Sequence, residues 1–208
     1  MPQSEPPRII DREKLRELYK EPRAAAKLKA LDRLDDFCKK FIELSPFFVL
    51  ASCNSQGHVD ASPRGDQAGF VKTPDDQSLL IPDRPGNNRI DTMRNILSNP
   101  GVGMIFFVPG FSETLRVNGT AAIMHDPGLC AQFTVNDKPA LSIMRVTVRE
   151  AFFHCGKALI RSRLWDPARY LDRSIFPSHG RILAEQTKAV TVEESEAYVA
   201  RSYRERLY

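Results

Sequence analysis

Between Ser45-Pro46 and Gly156 the chain is cut into short apolar runs, most of them joined by links of turn length. A parallel strand pair needs a crossover of a dozen or more residues, usually a helix, so turn-sized links favour antiparallel neighbours. Residues 47–52 read as a strand buried on both faces. Asn54-Ser55-Gln56-Gly57 is a turn, and 58–62 pair back as a hairpin. Residues 68–71, 78–82, 102–108 and 142–153 are further strands. Residues 115–123 show the cleanest period of two, with Leu115, Val117, Ala121 and Ile123 on one face and Arg116, Asn118 and Thr120 on the other. Six or seven short strands with helices inserted at two points make a mainly β protein with flanking helices (α+β). Closure into a small barrel would remove its edges.

The flanks read as helical. Asp11 caps a short helix through Tyr19, and a second, amphipathic helix is predicted over 23–44 from Leu28, Leu31, Leu34, Cys38, Phe41 and Ile42. Asp126-Pro127 opens a short helix, and residues 156–164 form another. Thr191-x-x-Glu194 is a capping box for a last helix reaching about Arg206. The expected division is an N-terminal arm and helices over 1–44, a sheet domain over 45–165 and a helical extension over 166–208.

The 208 residues, 42% hydrophobic and 27% charged, carry enough apolar material for a core without disulfides or metal. Cys38, Cys53, Cys130 and Cys155 form no C-x-x-C pair and read as free thiols of a reducing cytoplasm. Residues 1–8 lack the apolar centre of a signal peptide, and the apolar run over 102–111 is too short to span a bilayer. A cytoplasmic protein with no membrane partner is expected. The net charge of +4, spread along the chain, suits an anionic small molecule and does not call for nucleic acid.

The candidate site is the stretch from Asp83 through Arg84, Gly86, Asn87, Asn88 and Arg89 to Thr92. It lies between the strand over 78–82 and a helix predicted over 87–98. A helix start offers unpaired N–H groups and the positive end of a dipole, and Arg84, Arg89 and Arg94 can grip phosphate in a forked geometry. Asn87 or Asn88 would cap the helix. Arg64, between Pro63 and Gly65, is a second anion ligand, with Gly65 letting backbone come close. The plain alternatives are a solvated loop for Arg64 and a cross-strand ion pair for Arg116. Lys157 and Arg161 stand one helical turn apart and precede Trp165, so both cations can face one way. No G-x-G-x-x-G, phosphate-loop lysine or H-E-x-x-H occurs.

Four segments together resemble the pyridoxamine 5′-phosphate oxidase-like, FMN-binding split-barrel family, in its poorly characterised bacterial branch. They are Ala61-Ser62-Pro63-Arg64-Gly65-Asp66, residues 83–100, Arg116-Val117-Asn118-Gly119-Thr120-Ala121, and residues 154–165. The resemblance implies a six-stranded antiparallel split β-barrel. It also implies a homodimer with FMN in clefts at the subunit interface. By position, Arg64 and the Asn88-Arg89 pair would hold the FMN phosphate. On the residues themselves, Asp83 reads as a turn-forming or hydrogen-bonding group, Arg116 as a ligand or a strand ion pair, and Lys157 and Arg161, followed by Trp165, as two cations closing the cleft or as a solvated helix face beside a packed Trp.

The oxidase carries a basic pair where this chain has Asn88-Arg89, and a Lys where this chain has Gln67-Ala68-Gly69. These departures weigh against pyridoxamine phosphate oxidation more than against flavin binding. The implied function is an FMN-dependent oxidoreductase of a small molecule, with a nicotinamide as electron donor. The alternative is a non-catalytic carrier or sensor of flavin or haem.

Overall fold

The computed structural model describes residues 9–19 and 21–208; of the loose arm expected over residues 1–10, the first eight lie outside them. The chain divides into two compact units, Met1–Ala30 and Leu31–Tyr208. The first holds α1 (Arg12–Leu18), capped by Asp11, whose carboxylate accepts from Lys14 N at 2.8 Å, and α2 (Ala24–Leu28). Neither helix buries a residue.

The second unit begins where the helix predicted over 23–44 breaks. Leu31 leaves helical geometry and exchanges two backbone hydrogen bonds with Ala151, at 2.9 and 2.8 Å. Asp35 then caps a new helix, α3 (Asp36–Leu44), which buries Cys38, Phe41 and Ile42. The apolar spacing is genuine, but a non-local strand-like bridge overrides helix propensity at its centre.

Six strands follow: β1 (Phe47–Cys53), β2 (Val59–Gly65), β3 (Ser78–Pro82), β4 (Gly101–Phe107), β5 (Thr114–Met124) and β6 (Ile143–His154). All neighbours are antiparallel, in the order β2-β1-β4-β5-β6-β3, and the sheet curls into a half-barrel with helices at its flanks. Strands β2 and β3 are its two edges. Residues 68–71 form no strand: Gly69 takes a positive φ of 83° within a turn, and the one isolated bridge nearby, to Leu80, comes from Lys72 just after them.

Strand β1 is buried on one face in this chain, not two: Phe48, Leu50 and Ser52 are covered, while Val49, Ala51 and Cys53 are half-buried. A single antiparallel sheet needs only one packed face. Phe48, Leu50, Met104, Phe106, Leu115, Val117 and Val146 fill the concave side, with α3 and α4 (Asp91–Ser98) against it. A bulge at Asn118/Gly119 bends β5 against β6; a Cβ on Gly119 would overlap the Thr147 carbonyl oxygen.

Helix α5 (Pro127–Ala131) is capped by Asp126, and α6 (Lys157–Ser162) follows β6. The extension holds α7 (His179–Thr187), which sequence periodicity did not signal, and α8 (Val192–Glu205) with the expected Thr191–Glu194 capping box. Among the described residues no helix is long and apolar enough to cross a membrane.

Candidate functional site

The two edge strands meet at a seam, and charged residues lace it. On β2 the side chains of Asp60, Ser62 and Arg64 share one face, two residues apart, opposite the buried Ser52, Leu50 and Phe48 of β1. This row therefore continues the core face to the sheet's edge. Arg64 crosses to the end of the other edge strand, where its Nη1 donates to Asp83 Oδ1 at 3.1 Å. A second pair runs the opposite way: Arg84 Nε donates to Asp66 Oδ2 at 2.9 Å. Each edge thus offers one cation and one anion to the other.

Helix α4 closes the third side. Thr92 Oγ1 donates to Asp60 Oδ2 and lies 3.2 Å from Ser62 Oγ, and Asn95 Nδ2 donates to Ser52 Oγ at 2.9 Å. The helix predicted from Asn87 starts four residues later. Asn88 and Ile90 both adopt left-handed backbone, with φ of 60° and 52°, so no helical turn can form before Asp91. Ile90 occupies the N-cap with no side-chain hydrogen bond. Neither Asn87 nor Asn88 caps the helix; Asn87 Oδ1 instead accepts from Arg89 N at 3.1 Å.

The resulting cleft, about 260 Å³, is lined by Asp60, Ser62, Arg64, Asp83, Arg84, residues 86–93 and Leu141. Three arginines face three carboxylates, so it is polar and close to neutral overall. Its residues differ in freedom. Arg84 is fixed by Asp66 and by the Phe133 carbonyl, 2.7 Å from its Nη1. Arg89 is 74% exposed and donates to Asp91 Oδ2 at 2.7 Å; beside that carboxylate the guanidinium holds its proton more firmly than usual. Arg64 and Asp83 are 24% and 18% exposed. Burial pushes the Asp83 carboxyl upward, against the opposing pull of Arg64. Arg64 Nε is buried and has no hydrogen-bond partner among the described residues, which leaves donor capacity uncommitted at the seam.

The remaining predicted residues lie elsewhere. Gly65 packs on β1: a Cβ there would stand 3.3 Å from the Pro46 carbonyl oxygen and 3.4 Å from Phe47. Arg116 is on the convex face, its guanidinium 5.0 Å from the centre of the Phe152 ring, in a cation–π contact rather than an ion pair. It lines a separate, largely apolar groove of about 510 Å³ with Val49, Ala51, Ile105, Phe107 and Leu159. Lys157 and Arg161 are exposed on α6, and Trp165 Nε1 donates to the Phe111 carbonyl at 2.8 Å. Arg94 is exposed and does not line the cleft.

Asp60, Ser62 and Asp66 were given no role in the site by sequence reasoning. All three follow from a period of two counted along β2 from Arg64, with Asp66 just beyond the strand; Thr92 closed the candidate stretch in the sequence but had no role of its own there.

A curled six-stranded antiparallel sheet with flanking helices and a polar cleft at the seam of its edge strands defines a split-barrel protein. The chain belongs to the pyridoxamine 5′-phosphate oxidase family, whose model matches residues 34–155, more than half of it. Solved structures similar to it include HupZ from Group A Streptococcus, 17% identical over 58% of this chain and 93% of that one (TM-score 0.46). A conserved hypothetical protein, Rv2991, from Mycobacterium tuberculosis is 11% identical over 76% and 100% (0.45). An FMN-binding protein from Syntrophomonas wolfei is 10% identical over 55% and 82% (0.43). Comparison with curated proteins gives no match.

Proposed function

We propose that the chain is an FMN-binding oxidoreductase acting on a small molecule, and that it works as a homodimer. The observation that carries this reading is Arg64. It sits half-buried at the seam, bonded among the described residues to Asp83 alone, with Nε uncommitted, beside the 87–90 loop. A phosphate oxygen is a strong acceptor for such a guanidinium. Family membership supports the same ligand.

The fit is partial in an informative way. A cleft of about 260 Å³ lies below the usual range for a drug-sized ligand, so it suits the phosphate end of FMN and not the whole molecule. The apolar groove on the convex face, with Arg116 at its rim, is the surface this reading gives to a second copy.

Arg64, Arg84 and Arg89 would hold the phosphate, and Asp83 would orient Arg64. Ser62 and Thr92 would serve as neutral donors. Bound FMN would supply hydride and electron transfer, which no side chain of this chain can perform. The protein's part is to bind, orient and shield.

The plainest test is the visible spectrum of the purified protein, followed by addition of a reduced nicotinamide. A yellow protein that the donor bleaches supports the reading; a colourless protein that takes up no added FMN refutes it. A second reading, a flavin carrier without catalysis, is favoured by one feature. Each arginine of the cleft is already paired with a carboxylate, which suits holding a ligand better than moving protons. A yellow protein that no nicotinamide bleaches would select it.

A further inference from the structure

Asp66 is nearly fully buried, its side chain 3% exposed, and it collects three donors. Gln67 N reaches it at 2.7 Å, Arg84 Nε at 2.9 Å, and Tyr208 Oη at 2.8 Å. Tyr208 comes from the far side of the sequence, three residues past α8. Its ring lies 5.8 Å from the Arg84 guanidinium, and its carbonyl oxygen accepts from Lys138 Nζ at 2.8 Å. Lys138 belongs to the same post-α5 segment as Phe133, whose carbonyl takes Arg84 Nη1. Arg84 is therefore enclosed by a carboxylate, a carbonyl and an aromatic ring. Its Nη2 is the one guanidinium nitrogen given no hydrogen bond among the described residues.

We propose that Tyr208 is a positioning residue. By closing Asp66 and Arg84 into one cluster, it aims Arg84 at the anion cleft, and so makes phosphate affinity depend on the docked state of the segment after α8. This rests on reading the cleft as a phosphate site.

An arginine left free would lose substantial rotamer freedom on gripping an anion. Ordering it beforehand lowers the cost of binding. The segment that supplies Tyr208 follows a tightly packed helix pair. Helices α7 and α8 cross so closely that a Cβ on Gly180 would stand 2.7 Å from Glu196 Cα.

The test compares Tyr208→Ala and Tyr208→Phe with the full wild-type chain. One measurement is backbone hydrogen exchange over residues 83–90 without ligand. The other is affinity for FMN and for riboflavin, which lacks the phosphate. Tyr208→Ala is expected to speed exchange over 83–90 while β4 and β5 stay protected. It should weaken FMN by about tenfold, the scale of one hydrogen bond, and leave riboflavin unchanged. Tyr208→Phe, which keeps the ring on Arg84, should fall between.

Unchanged exchange over 83–90 overturns the proposal. So does equal weakening of both flavins, which would mean general loss of packing. If the wild type binds neither flavin, the phosphate reading fails, and the exchange measurement still decides whether Tyr208 clamps Arg84.

Discussion

Arg64 and Arg116 project from opposite faces of one sheet. Arg64 stands opposite Phe48, Phe48 opposite Phe106, and Phe106 opposite Leu115, all on the concave side, so Arg116 next along β5 points the other way. A ligand gripped by Arg64 cannot also meet Arg116 of the same chain. If both serve one FMN, the second must come from another copy. Ile105→Lys, at the centre of the convex apolar groove, is expected to give a monomer with unchanged circular dichroism and lost flavin retention. Light scattering and the visible spectrum check this; an Ile105→Lys variant that stays dimeric and yellow would remove the convex face from the site.

The Arg64–Asp83 pair sets up a double-mutant cycle. Arg64→Ala strands a carboxylate that is largely out of solvent and should cost about 1–3 kcal/mol of stability. Arg64→Ala with Asp83→Asn should recover most of that loss, because no buried charge then lacks a partner. Urea denaturation reads both. FMN affinity should not recover in the double variant, and Arg64→Ala should weaken FMN more than Arg89→Ala, since Arg89 is mostly in solvent.

Asp83 predicts a pH dependence of definite sign. Burial raises its folded pKa above the ordinary 3.8, so the folded state holds the proton more tightly than the unfolded one. Its contribution to stability therefore declines as pH rises through the window from 3.8 up to the raised value. On acidification through that window the wild type should gain stability relative to Asp83→Asn. Denaturation curves of the two proteins at a series of pH values test this, and parallel trends would contradict it.

Gly119→Ala probes the bulge. The new methyl would meet the Thr147 carbonyl, which belongs to the backbone of β6 and cannot swing aside. A loss of about 1–3 kcal/mol is expected, the usual scale for overpacking, with a matching fall in melting temperature. A neutral result would mean that β5 and β6 can separate locally at no cost.

Much of this was written locally in the chain. The alternation after Thr114, the Asp126 and Thr191 caps and the hairpin turn at Gly57 are short-range signals, and each element formed where they placed it. What escaped depends on partners distant in sequence. The helix over 23–44 breaks because Leu31 bonds Ala151, and Asp66 owes its burial partly to Tyr208. The delayed start of α4 has a different origin: Asn88 is a residue type that tolerates left-handed backbone, but nothing in a β-branched Ile90 announces it. The arginine cluster and its partners Asp83 and Asp91 stood in one legible stretch, whereas Asp60 and Asp66 were legible only once β2 was read two residues at a time.

Ile90 carries a consequence of its own. A β-branched side chain in left-handed backbone costs of order 1–3 kcal/mol, and here no cap hydrogen bond offsets it. The first turn of α4 is therefore held in shape by the sheet beneath it and by Thr92 bonded to Asp60. The recess thus takes its form from the sheet that backs it, against the backbone preference of the residue at its lip.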